Sequence, residues 1–359
     1  MPSGRDARPI VATPQASGAS RLCFVVGQRR LEPEGLIMVG FRQLGNTDVE
    51  ITPIGLGCMQ FSVSGLAGLI YPGMQPDRST EIVKAALDGG INWFDTAEMY
   101  GHGHSERLLS GALHALGVEP GSIRIATKWT PFGRRASSII KTIHDRLDAL
   151  QGYPIDLHQI HTPRGGLSPI EAQVDAMADL AEAEQIGHVG VSNFSAGQME
   201  LAHIRLRKRG LVLASNQVQI SLLHRSIETD GVLSTARRLG ITLIGYSPLR
   251  QGILTGRFHD DPSTIRALPI TRRWMTGLPD QRVLRRTEPL INELRRIAAA
   301  HDATPAQVAL GWVISNYGDT VVCIPGASNA SQATESAAVL GLELSHAELI
   351  ALNDATPGH

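Results

Sequence analysis

The most constraining feature of this sequence is a regular alternation between short apolar segments and longer segments whose apolar residues recur at helical spacing. Each short segment has the length and composition of a buried strand. Eight such strands, each followed by a helix, are predicted at residues 54–59, 91–95, 123–128, 155–161, 186–191, 214–219, 241–246 and 320–324. Eight strand–helix units in one run are typical of a closed barrel, so we predict an α/β fold of the (β/α)8, or TIM-barrel, type.

Three features lie outside this alternation. Residues 41–44 and 49–53, separated by Gly-Asn-Thr-Asp, are predicted to form an N-terminal β-hairpin that caps the bottom of the barrel. A loop-rich insertion at 252–281 and an extra helix at 306–313 precede the last strand. Because no charged linker or low-complexity segment interrupts the alternation, residues 38–359 are predicted to form a single domain.

Residues 1–37 differ in composition from the rest of the chain. They are rich in Arg, Pro, Ser and Gly and have neither helical nor strand periodicity. We therefore expect a disordered N-terminal extension, with Met38 as an alternative start of the native chain.

Composition excludes several classes of partner. A 42% hydrophobic and 19% charged chain with a net charge of −1 has no basic surplus that would favour a nucleic acid or an anionic membrane surface. No apolar run approaches the ~20 residues that span a bilayer. Cys23, Cys58 and Cys323 are widely spaced, which favours reduced thiols in a cytoplasmic protein. The oligomeric state is left open.

Four side chains near predicted strand ends can donate or polarise a proton: Asp95, Tyr100, Lys128 and His161. The C-terminal ends of barrel strands meet at one mouth, so these groups are predicted to share a cleft. An ammonium beside a phenol stabilises the phenolate and lowers its pKa from about 10. Asp95 would keep Lys128 charged, and His161 would polarise a carbonyl oxygen. This set favours a site that protonates an oxygen while hydride reaches its carbon.

Each of these residues also has an ordinary interpretation when it is taken alone. A loop aspartate, a solvated lysine and a hydrogen-bonded histidine are common, but four at neighbouring strand ends favour catalysis. His102 and His104 lack a third ligand, so no metal site is predicted. The segment G-L-G-C-M-Q from Gly55 lacks the third glycine of a dinucleotide-binding fingerprint, which argues against a Rossmann fold.

Several motifs in fixed order carry a family resemblance: F-D-T-A-E-M-Y-G-H-G-H-S-E-R-L-L-S-G-A-L, I-A-T-K, L-H-Q-I-H, G-V-S-N-F, N-Q-V-Q-I-S and Y-S-P-L. Together they resemble the aldo-keto reductases over nearly the whole chain. The resemblance implies that the four residues above form the catalytic set, with Tyr100 as general acid. It also implies an extended nicotinamide cofactor, whose carboxamide and ring would be bound by Ser192, Asn193, Gln217 and Tyr246.

Two further motifs, Y-S-P-L-R-Q-G-I-L-T-G-R-F and I-P-G-A-S-N-A-S-Q-A-T-E, resemble the branch that contains bacterial aldo-keto reductases and potassium-channel β subunits. This likeness implies that the pyrophosphate is bound by Ser247, Leu249, Gly252 and Arg257, and the adenosine end by Gly326, Ser328, Gln332 and Glu335. The basic residue that many relatives place near the 2′-phosphate is absent there, and Ser336 replaces an asparagine. Arg257, Arg272 or Arg273 are candidates for that charge, so NADP(H) is favoured and NAD(H) stays open.

The substrate pocket is predicted from proximity to the mouth alone. The candidates are Met59, Phe61 and Trp129, with Tyr71 and Arg164 beside them, and ordinary packing is an equally good interpretation of each. We expect a reductase that converts an aldehyde or ketone to an alcohol, or the reverse reaction. Two alternatives remain: a cofactor-binding, redox-sensing regulatory subunit like the channel β subunits, and a different barrel oxidoreductase or isomerase.

Overall fold

The computed structural model describes residues 40–62, 73–266 and 281–357. The predicted N-terminal extension (residues 1–37), Cys23, Tyr71, Arg272 and Arg273 lie outside the described residues, as does the second half of the predicted insertion.

Eight parallel strands follow one another around a barrel in the order of the chain. They are β3 (Leu56–Gly57), β4 (Trp93–Asp95), β5 (Arg124–Trp129), β6 (Leu157–Ile160), β7 (His188–Ser192), β8 (Leu213–Gln219), β9 (Thr242–Tyr246) and β10 (Val321–Cys323). The first and last strands meet through parallel bridges between Ile54 and Cys323 and between Gly57 and Gly326. Since these bridges close the sheet, the predicted (β/α)8 barrel is confirmed.

Helices are present at every predicted position, and two further short helices, Arg257–Asp260 and Ser263–Arg266, lie in the insertion predicted to be loop-rich. They are α1 (Pro76–Asp88), α2 (His104–Ala115), α3 (Ser137–Leu150), α4 (Ile170–Glu182), α5 (Ala196–Arg207), α6 (Val232–Leu239), α7 (Arg257–Asp260), α8 (Ser263–Arg266), α9 (Gln281–Ala300), α10 (Pro305–Asn316), α11 (Ala330–Ala337) and α12 (His346–Ala355). Capping boxes begin α5, α10 and α12, at Ser195, Thr304 and Ser345. The extra helix predicted before the last strand is α10. None of the helices in the described ranges is long and apolar enough to cross a membrane.

The bottom of the barrel is filled with side chains from the N-terminal hairpin and the barrel strands. β1 (Arg42–Gln43) and β2 (Glu50–Ile51) form the predicted antiparallel hairpin. Its apolar residues pack with side chains from inside the barrel in a cluster formed by Leu44, Val49, Ile51, Trp93, Ala126, Leu157, Ala214, Ile244, Val322 and Ile324. Because this end is packed with side chains, a small molecule can approach the strand ends only from the opposite side.

Barrel closure leaves no room for a side chain at Gly55. Its backbone N–H donates to the Cys323 carbonyl at 2.9 Å, and a Cβ at this position would lie 2.3 Å from the Trp93 indole. The indole cannot easily retreat, since its Nε1 donates to the Thr52 carbonyl at 2.8 Å. Gly111, on the exposed side of α2, would have nothing within 4 Å of a Cβ.

We predict that Gly55→Ala lowers the free energy of unfolding by about 1–3 kcal/mol, because it overpacks the barrel interior. The same substitution at Gly111 should raise the free energy of unfolding by roughly 0.5–1 kcal/mol, since alanine favours a helix interior. Chemical denaturation of the two variants and the wild type measures both effects. Equal effects at both positions would contradict the packing at Gly55.

Candidate active site

The mouth of the barrel is built around a buried ion pair. Asp95 ends β4 and Lys128 lies near the end of β5, and their residues are 1% and 0% exposed. The Lys128 ammonium donates to Asp95 Oδ1 and, at 2.8 Å, to the Thr96 carbonyl. Burial by itself lowers the pKa of Lys128, but the charge and hydrogen bond of Asp95 and the contact with Tyr100 raise the pKa above its ordinary value. Lys128 is therefore charged at neutral pH.

Two glutamines complete the surroundings of the Asp95 carboxylate. The amides of Gln159 and Gln217 donate to Asp95 Oδ2 at 3.1 and 2.8 Å. Gln159 was not among the residues predicted from the sequence, although it stands two residues before His161, on the same side of an alternating strand. Each carboxylate oxygen thus has a donor, which is what a buried charge requires.

Tyr100 stands on the loop after β4, with its side chain next to this pair. The Lys128 ammonium lies 5.2 Å from the centre of the half-buried Tyr100 ring. Burial raises the pKa of the Tyr100 phenol, and the charge of Lys128 opposes this rise. As predicted, the charge of Lys128 acts to lower the pKa of the phenol. Burial raises this pKa by more, so the prediction of a pKa below the ordinary value is wrong. The phenol is accordingly protonated at neutral pH, the form that a general acid needs.

His161 follows β6 and faces the same cleft. Its ring centre lies 5.9 Å from that of Tyr100, with the two planes nearly perpendicular. Burial, together with the charge of Lys128, lowers the pKa of His161 to about 3. The imidazole is therefore neutral at neutral pH and has one N–H donor and one acceptor nitrogen. The structure thus brings Asp95, Tyr100, Lys128 and His161 to one mouth.

A second ionic cluster, which the sequence analysis did not identify, supports the loop that carries Tyr100. We call Glu98, Arg134, Arg146 and Glu106 the loop-support cluster. Glu98 accepts from Arg134 and, at 2.7 Å, from Arg146, and Arg146 Nε lies 2.9 Å from Glu106 Oε2. Glu106 is fully buried, and burial raises its pKa while Arg146 opposes the rise. Glu98 stands inside the motif F-D-T-A-E-M-Y-G, but nothing local in the sequence indicates its partners.

The four residues predicted to bind a nicotinamide form one hydrogen-bonded row. Tyr246 Oη donates to Asn193 Oδ1 at 3.0 Å, and Asn193 Nδ2 donates to Ser192 Oγ at 3.0 Å. Ser192 Oγ donates to the Gln217 carbonyl at 2.9 Å. Since Gln217 also donates to Asp95, this row joins the catalytic candidates directly.

The segment predicted to bind a pyrophosphate has an unusual backbone. Ser247, Arg250, Gln251 and Gly252 all have left-handed φ values, between 47° and 92°. Such a conformation costs a non-glycine residue about 1–2 kcal/mol. A Cβ at Gly252 would lie 2.9 Å from Arg257 Nη2, so the guanidinium packs on this glycine. Leu249 precedes the tight turn. The turn thus places the Arg257 guanidinium beside the residues predicted to bind the pyrophosphate.

The residues predicted for the adenosine end are partly engaged with one another. The Ser328 N–H donates to Gln332 Oε1 at 2.8 Å, and the Thr304 hydroxyl donates to the Glu335 carboxylate. A Cβ at Gly326 would lie 2.2 Å from the Gln60 amide. Gln60 Oε1 is buried and has no hydrogen-bond partner among the described residues.

The predicted substrate-pocket residues are placed differently from one another. Phe61 and Trp129 are 0% and 1% exposed, and the Trp129 indole donates to Ser138 Oγ at 3.1 Å. These two side chains therefore support the mouth from the core and present no accessible surface. Met59, in a 3-10 turn after β3, is half-buried, and Arg164 is exposed.

Known proteins share the sequence and fold of this chain. The model of the aldo/keto reductase family matches residues 53–356. The chain belongs to this family. An uncharacterized oxidoreductase of Mycobacterium tuberculosis is 37% identical over 310 residues, which cover 85% of this chain and 90% of that protein. The chloroplastic pyridoxal reductase of Arabidopsis thaliana is 32% identical over 317 residues, which cover 85% and 83%.

Among solved structures, the glycerol dehydrogenase of Gluconobacter oxydans has a TM-score of 0.74 at 27% identity and covers 89% of this chain and 95% of its own. The resemblance found in the sequence is therefore confirmed. This aldo/keto reductase is an oxidoreductase of a family that acts on small molecules with a nicotinamide cofactor.

We predict that His161 does not titrate between about pH 5 and pH 8, since its pKa is lowered to about 3. In the urea-unfolded chain the same residue should titrate near pH ~6.5. The unfolded state then binds a proton that the folded state does not, so His161 destabilises the fold as the pH falls from about 6.5 towards 3. Proton NMR of the ring C–H resonances, assigned with His161→Gln, measures this. A midpoint near pH 6.5 in the folded protein would disprove the buried neutral state.

Proposed function

We propose that this protein reduces an aldehyde or ketone to the corresponding alcohol, or catalyses the reverse reaction, with Tyr100 as the general acid. One observation carries the proposal: the Tyr100 phenol, the His161 imidazole and the Lys128–Asp95 pair face one mouth at the ends of three neighbouring strands.

Each residue has a separate task in this reaction. The nicotinamide, when bound, supplies the hydride that is added to the carbonyl carbon. Tyr100 transfers its phenolic proton to the carbonyl oxygen as the new C–H bond forms. Lys128 stabilises the phenolate that remains, and Asp95 keeps Lys128 charged and oriented. His161 donates a hydrogen bond to the same oxygen and orients the carbonyl.

The row from Tyr246 to Gln217 supports a place for the nicotinamide next to Tyr100, and the Arg257 guanidinium packed on Gly252 supports a place for the diphosphate. We propose NADP(H) as the preferred form. Of the three basic candidates for the 2′-phosphate, Arg257 lies among the described residues. It is also a candidate for the pyrophosphate, and a single variant separates these two roles.

We predict that Tyr100→Phe lowers kcat by about a hundredfold or more, since a positioned general acid contributes roughly 10²–10⁴. The affinity for the cofactor should change little, because the phenol hydroxyl acts on the substrate oxygen. The assay follows NADPH oxidation in the steady state with a panel of aldehydes. The panel includes pyridoxal, and glycerol is tested for oxidation, because a relative and a structural neighbour are named for these compounds.

The outcome of that assay also distinguishes the reductase from the regulatory-subunit alternative. A redox-sensing subunit would bind NADPH but show negligible steady-state turnover with the wild-type chain. The complete set of four residues favours the enzyme. Unchanged turnover in Tyr100→Phe would refute the assignment of Tyr100.

We predict that NADPH quenches the intrinsic tryptophan fluorescence with a Kd about tenfold lower than NADH, which corresponds to ~1.4 kcal/mol for the 2′-phosphate. Arg257→Gln should weaken both cofactors equally if Arg257 binds the pyrophosphate, and NADPH alone if it binds the 2′-phosphate. Arg296→Gln is the control, since Arg296 is paired with Glu293 and lies on the exposed side of α9. Tighter binding of NADH than of NADPH by the wild type would overturn the proposed preference.

A further inference from the structure

Thr130 lies between the Asp95–Lys128 ion pair and the loop-support cluster. It is the first residue after β5, two residues beyond Lys128, and is 8% exposed. Its hydroxyl lies 3.3 Å from His161 Nδ1, and this ring nitrogen is the hydroxyl's hydrogen-bond partner among the described residues. The chain thus places a rotatable O–H group beside Nδ1 of the imidazole.

Both polar groups of the Thr130 backbone are hydrogen-bonded. Its N–H donates to Glu98 Oε1 at 2.6 Å, and its carbonyl accepts from Arg134 Nη1 at 3.1 Å. Threonine is also stiff at χ1, because two heavy atoms branch from Cβ. With the backbone held by the loop-support cluster, the hydroxyl is kept close to His161.

Glu98 connects this arrangement to Tyr100. It stands two residues before Tyr100, and its own N–H donates to the Lys128 carbonyl at 3.2 Å. Its carbonyl accepts from the Gly103 N–H at 3.0 Å, at the far end of the same loop. One buried carboxylate therefore joins the loop of the phenol to the residue behind the imidazole.

The chemistry of a neutral imidazole makes this contact consequential. One ring nitrogen carries the proton and the other is a bare acceptor, and the partner of one nitrogen decides the state of the other. A hydroxyl that donates to Nδ1 leaves the proton on Nε2. The opposite tautomer would present a lone pair on Nε2 to the lone pairs of a carbonyl oxygen, which is repulsive.

We propose that Thr130, held in place by Glu98, is a positioning residue that fixes His161 in the tautomer with its proton on Nε2. The role of that proton in orienting a carbonyl rests on the function proposed above. The tautomer itself is a property of the protein without substrate, so it can be measured whether or not the protein is a reductase.

The decisive experiment is a long-range ¹H–¹⁵N correlation spectrum of the full chain labelled with ¹⁵N-histidine. The chain contains 13 histidines, and the signals of His161 are those lost in His161→Gln. Nitrogen shifts distinguish a protonated from a bare ring nitrogen.

Wild type and Thr130→Ser, which both have a hydroxyl, should show only the Nε2–H form. Thr130→Val, which has nearly the same shape without the hydroxyl, should populate the Nδ1–H form. A proton on Nδ1 in the wild type, or the wild-type tautomer in Thr130→Val, would overturn the proposal.

Steady-state kinetics provide a second test. If Thr130 had only a structural role, the Val and Ser variants would not differ in kcat/KM while keeping the same stability. Thr130→Val should lower kcat/KM for carbonyl reduction by roughly ten- to a hundredfold, since losing a donor to a developing oxyanion outright costs about a hundredfold or more. Thr130→Ser should stay within about threefold of the wild type, because it keeps the donor. The NADPH Kd and the thermal midpoint should be the same in both variants. Equal losses in Val and Ser would also count against the tautomer role.

Discussion

The interaction on which the mouth of this barrel depends is the buried ion pair between Asp95 and Lys128. Removing two charges from water is costly, and their mutual attraction compensates only when the remaining polar atoms also find partners. The barrel provides these partners: the Thr96 carbonyl for the ammonium and the amides of Gln159 and Gln217 for the carboxylate. The pair and the two amides come from four different strands, so this arrangement exists only in the assembled barrel.

The same ammonium acts in opposite ways on its two neighbours. Its positive charge stabilises a phenolate at Tyr100, whereas it disfavours an imidazolium at His161. Burial keeps both groups neutral, because it raises the pKa of the phenol and lowers that of the imidazole. A single buried lysine thus opposes the rise in the pKa of the phenol and helps to keep the imidazole neutral.

The segment from Asp95 to Glu106 shows how far sequence reasoning reaches. A polar run directly after a strand-like segment, in a chain with eight strand–helix units, places Asp95 and Tyr100 at the mouth without any structure. The same reasoning fails for Glu98, Thr130 and Gln159. Their partners are distant in sequence and meet only because neighbouring strands end side by side. For Phe61 and Trp129, proximity along the chain did not reveal that the side chains turn inward.

The sequence by itself determined the barrel, since the alternation of short apolar segments with helical segments is a local property that can be read in short windows. It also determined the identity of the four candidate catalytic residues, through motifs whose order is preserved. Only the tertiary structure decided how those groups are charged and held. The pKa of Tyr100, the neutrality of His161 and the support from Glu98 depend on burial and on contacts between loops. Burial and long-range contacts are sums over the whole packed molecule, and no short stretch of sequence contains them.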